Sequence, residues 1–384
     1  MHGLILLDSQ NQPLGDCISW ADQRSSYQAS RLRTEDPDAH FRTGTPLHPM
    51  AWPSKLLWAK EVHPALWSRV ARVTDLKNYL LERLTLQRFP LDLSIASSTG
   101  LWNHQLQEWD QALLQRLDLH PERLPQVSVE RIVADWNGRL LHVGAGDGPL
   151  ANLGMGAVTA GRVALSVGTS GAIRQMETDG NSPFQTSLFR YALDHQHWVR
   201  GGAISNGTSI LDWLRLQQDI PVEQILKKVS VVAAGADGLR VYPYFSGERA
   251  PFWQPEVKSH ISGWSFEHSF SHLARATVEG VAFCLKRLLD HLEPTEQPLR
   301  CTGGFFASPV WRQLLADVTG HPVAVSPIAE ATALGAALFT TDNYLELSAS
   351  LPAGDLTEPS EHRSQVYGEI YEEWLAGDPT GRLA

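Results

Sequence analysis

Apolar residues along the chain gather in short runs cut by glycine and proline, with stretches of helical spacing between them. Residues 3–7 and 14–20 are apolar on either side of Asp8-Ser9-Gln10-Asn11-Gln12-Pro13, which predicts a hairpin that begins at once. Helices are predicted from about Ser25, at 55–61 and at 74–84, and the small residues of 94–100 predict a turn. An apolar run at 140–143 empties into Gly144-Ala145-Gly146-Asp147-Gly148-Pro149, and a second at 162–167 opens into Gly168-Thr169-Ser170-Gly171. Strands follow at 188–193, 197–200 and 239–245, with a helix at 209–216. Leu273, Val281, Cys284, Leu285, Leu288 and Leu292 share one helical face, which predicts a long helix over 271–292. A strand at 299–301 runs into Thr302-Gly303-Gly304, ahead of a helix capped by Ser308, with Pro309 at its first position and Gly320 closing it. Val323–Val325 reads as a strand and Ala331–Leu338 as a helix of small residues. The remainder from 342, rich in Pro, Ser, Gly and charge, reads as a loosely attached tail.

Two of these loops suit chemistry. Asp147 stands between glycines just past a strand, so no neighbouring side chain blocks a ligand from its carboxylate, the way a general base is presented. The local alternative is a turn residue bonded to its own backbone. Gly168-Thr169-Ser170-Gly171 offers close backbone approach, amide donors and two hydroxyls, which suits a phosphate chain; alone, it could be a hairpin turn. Trp20-Ala21-Asp22-Gln23-Arg24 sets an aromatic, a carboxylate and a guanidinium together, groups that recognise polyols, although Asp22 could equally cap the helix that follows. The Gly303-Gly304 turn ahead of a helix is a place for a nucleotide to lie against backbone.

Composition narrows the partners. With 384 residues the chain suggests two domains, and a net charge of -10 argues against a nucleic-acid surface. Three cysteines without paired or metal-ligand spacing argue for a reducing compartment, the cytoplasm by default, and against a zinc site. The N-terminus has no signal-peptide pattern and no run is long enough to span a membrane. The fifteen histidines show no convincing ligand spacing.

The order and spacing of Met1-His2-Gly3, Trp20-Ala21-Asp22-Gln23-Arg24-Ser25, Thr43-Gly44-Thr45-Pro46, Gly146-Asp147-Gly148, Gly168-Thr169-Ser170-Gly171, Gly247-Glu248-Arg249-Ala250-Pro251, Thr302-Gly303-Gly304 and Ala333-Leu334-Gly335-Ala336-Ala337 resemble the FGGY family of carbohydrate kinases nearly end to end. The resemblance implies an α/β chain of two actin-like, ribonuclease-H-like domains with the ligand cleft between them: 1–157 binding sugar, 158–341 binding ATP with Mg2+, and 342–384 a tail. It implies that Asp147 is the general base; that Gly168, Thr169 and Ser170 hold the ATP phosphates; that Gly303, Gly304 and Ser308, with Gly207, line the adenosine pocket; and that His2, Asp22, Arg24, His48 and Met50 contact substrate, Arg24 facing a sugar-acid carboxylate. No protein-ligated metal site is implied, the partners are a small sugar and ATP, and a homodimer is left open. Glu248 and Arg249 mark the family without an evident role.

The chain departs from the family at its start. The Asp-Ile-Gly-Thr-Thr hairpin that cradles the transferring phosphate is not present, so the resemblance implies an incomplete N-terminal domain with exposed sheet edge and apolar surface. The run between 124 and 140 is also short. The substrate flavour is D-gluconate, giving 6-phospho-D-gluconate; xylulose or another family sugar is the rival, and a truncated remnant that binds sugar or nucleotide without transfer is the alternative of another class. A hydrolase is disfavoured, because Ser170 lies outside any Gly-x-Ser-x-Gly elbow.

Overall fold

The structure, a computed structural model, describes residues 1–180 and 182–382. It falls into two units, one of residues 1–154, 177–200 and 332–344, the other of residues 155–176, 201–331 and 345–384.

In the second unit Val163–Val167 is a central strand, antiparallel to Gly171–Glu177 on one side and parallel to Leu299–Thr302 on the other. Beyond Leu299–Thr302 come Val323–Val325, parallel, and Asp355–Thr357, antiparallel. Thr302 stands opposite Ser166, so the two glycine turns leave from neighbouring strand ends. The long helix is Phe270–Asp290, and its buried residues include Val281, Cys284, Leu285 and Leu288, as the spacing predicts. Leu292 is buried just beyond its end. Pro309–Thr319 ends at Gly320 in the left-handed conformation (φ 69°), as expected, but Ser308 occupies the cap position without making a side-chain cap bond. Val323–Val325 and Ala331–Leu338 form as predicted.

The stretch after 342, expected to be a loose tail, is packed. Asp355–Thr357 extends the sheet, and Glu361–Gly377 is a helix that buries Tyr367, Ile370, Tyr371 and Trp374. Its Tyr367 hydroxyl donates to Glu279 Oε1 (2.8 Å) and its Trp374 Nε1 to the Val241 carbonyl (3.0 Å). Those four side chains recur three and four residues apart, a spacing that the polar composition around them masks.

In the first unit the initial hairpin exists in part. Ile5–Leu7 is a strand, Leu4 and Ile18 form a bridge, and the Asp8 carboxylate closes the turn by accepting from the amides of Gln10 and Gln12 (both 2.9 Å). Residues 14–20 do not form the regular strand expected, because bends at Gly15 and Asp16 break that arm. The other edge of Ile5–Leu7 pairs antiparallel with Arg72–Thr74, a strand the pattern does not predict. Both edges of this strand therefore carry partners, unlike the exposed edge expected. The helix predicted at 55–61 runs Trp52–Val62, and that at 74–84 runs Leu76–Thr85, capped by Asp75, which accepts from the amides of Lys77 and Asn78. Residues 94–100, expected as a turn, contain a buried helix, Leu93–Ser98, because Asp92 caps it and every residue in it is buried. Before Asp147 the chain forms the hairpin Val133–Trp136 and Arg139–His142. Leu4, Leu32, Trp52, Leu56, Val73, Ile95 and Leu113 belong to the core of this unit. Among the described residues no helix is long and apolar enough to cross a membrane.

Candidate active site

In the second unit the turn 168–170 joins two antiparallel strands and is held by backbone alone. Gly168 N donates to Ser170 O (2.9 Å), Gly207 N to Thr169 O (2.8 Å) and Thr208 N to Gly168 O (2.7 Å). A Cβ on Gly207 would lie 2.5 Å from the Gly168 carbonyl oxygen, so only glycine lets the 205–208 segment seat there. With those carbonyls engaged from behind, Gly168 and Thr169 remain exposed, their amides and the Thr169 and Ser170 hydroxyls offering donors to an anion.

Gly303 lies directly behind this turn. It has φ 110°, and a Cβ there would meet the Val167 carbonyl oxygen at 2.2 Å. Gly304, by contrast, faces open space. Together with Thr208 and Ser308 it lines a cavity of about 510 Å³, walled by Leu211, Leu226 and Trp311, with Glu223 and Lys227 also on its lining. Apolar walls with a few hydroxyl and charged groups suit a flat heterocycle joined to a sugar.

In the first unit Asp147 opens the helix Asp147–Gly154, where the helix dipole favours a carboxylate. Its side chain is 65% exposed, and Oδ1 accepts from the α-ammonium of Met1 at 2.9 Å. Gly146 N donates to Ser94 Oγ (2.9 Å), and a Cβ at 146 would lie 2.7 Å from Met1 Sδ. The small residues of 94–100 thus act as supports. Ser94 fixes the turn before Asp147, while Ser97 binds Thr45 through its carbonyl and Ala192 N through its hydroxyl (both 2.9 Å). A groove of about 580 Å³ runs beside Asp147, lined also by Met1, Gly3, Cys17 and Trp20. Leu76, Leu80 and Leu84 form an apolar wall, each between 44% and 56% exposed.

His2 is half-buried, with its ring edge-on to Tyr191 (5.6 Å between centroids). Burial first, then the N-terminal ammonium and Lys55, lower its pKa to about 3, so it is neutral. Asp22 accepts from Arg24 N and, through both oxygens, from the Arg24 guanidinium, which holds its carboxyl below the usual range. Arg24 also lies over the Trp58 ring at 4.5 Å and lines a separate cavity of about 180 Å³. It does not line the groove that Asp147 lines. His48 and Met50 are buried, and His48 Nδ1 accepts from Met50 N (3.2 Å).

Sequence reasoning passed over Lys55. It is fully buried and donates to the carbonyls of His2 (2.5 Å) and Ile18 (3.2 Å), tying the first residues to the other arm of the hairpin. Burial pushes it down to about 7. A lysine inside the Trp- and Leu-rich run 52–58 was the available signal.

Residues 1–139 match the N-terminal domain, and residues 163–341 the C-terminal domain, of the FGGY family of carbohydrate kinases. The chain belongs to that family. It is similar to the gluconokinase of Bacillus licheniformis, 34% identical over 96% of this chain and 79% of that protein. Among solved structures it resembles a gluconate kinase from Lactobacillus acidophilus (28% identical, TM-score 0.90, covering 98% of this chain and 82% of the other). It also resembles a ligand-bound xylulose kinase from the same organism (28%, TM-score 0.89, covering 100% and 84%). As an FGGY carbohydrate kinase the chain has the two-domain, actin-like α/β fold of these structures. The two family matches leave out 140–162, the stretch that holds Asp147.

Proposed function

We propose that this chain transfers the γ-phosphate of ATP to a sugar acid, D-gluconate, giving 6-phospho-D-gluconate and ADP. What carries the reading is a pair of features in a family kinase similar to gluconokinases: a backbone-locked, exposed Gly-Thr-Ser turn, and an accessible carboxylate at a helix start. The first unit would hold the sugar and the second the nucleotide.

Asp147 acts as general base. One of its oxygens takes the proton of the acceptor hydroxyl as that hydroxyl oxygen bonds to the γ-phosphorus; the bond from phosphorus to the β,γ-bridging oxygen breaks and its electron pair leaves with ADP. Gly168, Thr169 and Ser170 hold the phosphates, and Gly207, Gly303, Gly304 and Ser308 shape the adenosine side. His2, neutral at working pH, exchanges hydrogen bonds with sugar hydroxyls, and His48, Met50 and Asp22 serve the same substrate. For Arg24 to serve a substrate carboxylate, its guanidinium would have to leave Asp22 and the separate cavity it lines. Mg2+ would arrive with the nucleotide, held by its phosphate oxygens and water. The metal would neutralise charge on those phosphates. ATP supply and three free cysteines favour the cytoplasm.

The test is ADP release with magnesium-ATP and gluconate, run beside xylulose and glycerol. Gluconate-dependent turnover is expected, and Asp147→Asn should lower it by about 10²–10⁴-fold while leaving ADP affinity unchanged. Near-normal turnover in that variant would remove Asp147 as the base. The open leucine wall beside Asp147 favours a second reading, ligand binding without transfer; nucleotide binding with no ADP from any sugar would establish it instead.

A further inference from the structure

The Gly247-Glu248-Arg249-Ala250-Pro251 stretch has no part in the reaction above, although it holds one of the most enclosed carboxylates of the second unit. Glu248 is 2% exposed. Its Oε1 accepts from Ser205 N at 2.6 Å and from Arg249 N at 2.8 Å. Its own backbone is pinned against Gln254 by a pair of hydrogen bonds (3.2 and 3.0 Å). Gly247, at φ 72°, would place a Cβ 2.2 Å from the Pro255 carbonyl oxygen, so the turn admits glycine alone.

Around that carboxylate, residues 246–250 run alongside 203–206 and are joined to them repeatedly. Ala250 N donates to Ala203 O (3.0 Å), and the Arg249 guanidinium to Ile204 O (2.6 Å). Asn206 accepts from Ser246 N (3.3 Å) and donates to Gly247 O (3.2 Å). The next two residues, Gly207 and Thr208, are those whose amides hold the carbonyls of Thr169 and Gly168. Hydrogen bonds at Ser205 and at Gly207 and Thr208, joined by the short stretch of backbone between them, therefore link a buried carboxylate to the phosphate turn.

We propose that Glu248 is a positioning residue for the phosphate turn: by fixing the amide of Ser205 it sets the 205–208 segment, and through it the shape in which 168–170 receives the nucleotide. The inference rests on the nucleotide role proposed for that turn. A carboxylate suits this role because charge-assisted N–H···O bonds are shorter and stronger than neutral ones. Its environment also makes it responsive. Burial pushes Glu248 up to about 7, against the pull of the Ser205 and Arg249 amides and the Arg249 charge; the Cys284 thiol, held far above its ordinary range by burial, stays neutral beside it. As pH falls through about 7 the carboxylate gains a proton and becomes a weaker acceptor, so nucleotide affinity should fall.

The experiment is equilibrium ADP binding and steady-state kinetics with ATP between pH 6 and 8.5, on the full chain and on Glu248→Gln and Glu248→Ala. Glu248→Gln keeps a carbonyl oxygen for the amides but, like the protonated carboxyl, carries no charge, so at pH 8 it should bind ADP about as weakly as the parent does at pH 6, with its binding no longer pH-dependent near 7. Glu248→Ala should weaken ADP binding and raise the KM for ATP by about tenfold or more, with the KM for the sugar unchanged. Parent-like ADP affinity in Glu248→Ala overturns the proposal. Should that variant not fold, the Gln variant decides: retained pH dependence like the parent's overturns it, and loss of that dependence supports it. A parent chain that binds no ADP at all would refute the nucleotide role of the turn, a result separate from either.

Discussion

The 168–170 turn of the second unit and the Asp147 corner of the first are built by opposite means. Backbone amides and two glycines that admit no Cβ determine the turn, and the amides of Gly207 and Thr208 hold it from behind. The Asp147 corner depends on side chains: one serine hydroxyl under Gly146, one exposed ion pair, and a wall of half-open leucines. Backbone-built sites tolerate side-chain change at their rim and fail at their glycines. Side-chain-built sites fail by degrees, and exposed ion pairs add little to holding them.

The strongest test of this contrast is Gly303→Ala. Strain at φ 110° and a 2.2 Å approach to the Val167 carbonyl together cost about 3 kcal/mol or more of stability unless the turn shifts, so the melting temperature should fall and ADP binding should weaken in calorimetry. Unchanged binding would break the contrast. On the other side, Ser94→Ala leaves Gly146 N without its buried acceptor, worth about 1–2 kcal/mol. Turnover should fall by about tenfold while ADP affinity stays put.

Lys55 gives a pH test confined to the first unit. Its folded value of about 7 lies below the ordinary 10.5, so between these values the unfolded chain binds more protons than the folded one and stability rises with pH. The burial penalty is present in full below about 7 and is relieved toward 10.5. Melting temperatures at pH 7 and 9 should show this rise in the parent and lose its Lys55 share in Lys55→Met. The smallest expected effect is that of Leu80→Gln with Leu84→Gln. Both side chains are 56% exposed, so stability should shift by no more than about 0.5 kcal/mol for each, while binding of a hydrophobic dye drops. A large stability loss would show that the wall is part of the core.

What the sequence disclosed follows the same division. The turn 168–170, the strand before it, the long helix and Val323–Val325 were legible because local periodicity and glycine placement determine them. Arg72–Thr74 was not, since three residues become a strand only by pairing with Ile5–Leu7 far away in the chain. Leu93–Ser98 shows no helical signal of its own, because serines and alanines are locally neutral and only burial under Asp92's cap makes them helical. Polar composition hid the spacing of Tyr367, Ile370, Tyr371 and Trp374. Asp147 and the glycines were visible as candidates. Lys55 and the bracing by Glu248 were not, because their partners, His2 and Ser205, lie 53 and 43 residues away.

Cys17 lines the groove beside Asp147 and is half-buried, whereas Cys284 and Cys301 are enclosed. The chain thus carries a single addressable thiol, beside the carboxylate proposed as the base. Burial pushes that thiol up, so alkylation should be slow near neutrality and quicken in mild alkali. Protection of Cys17 from a maleimide by sugar, and not by ADP, would footprint the acceptor side independently of turnover.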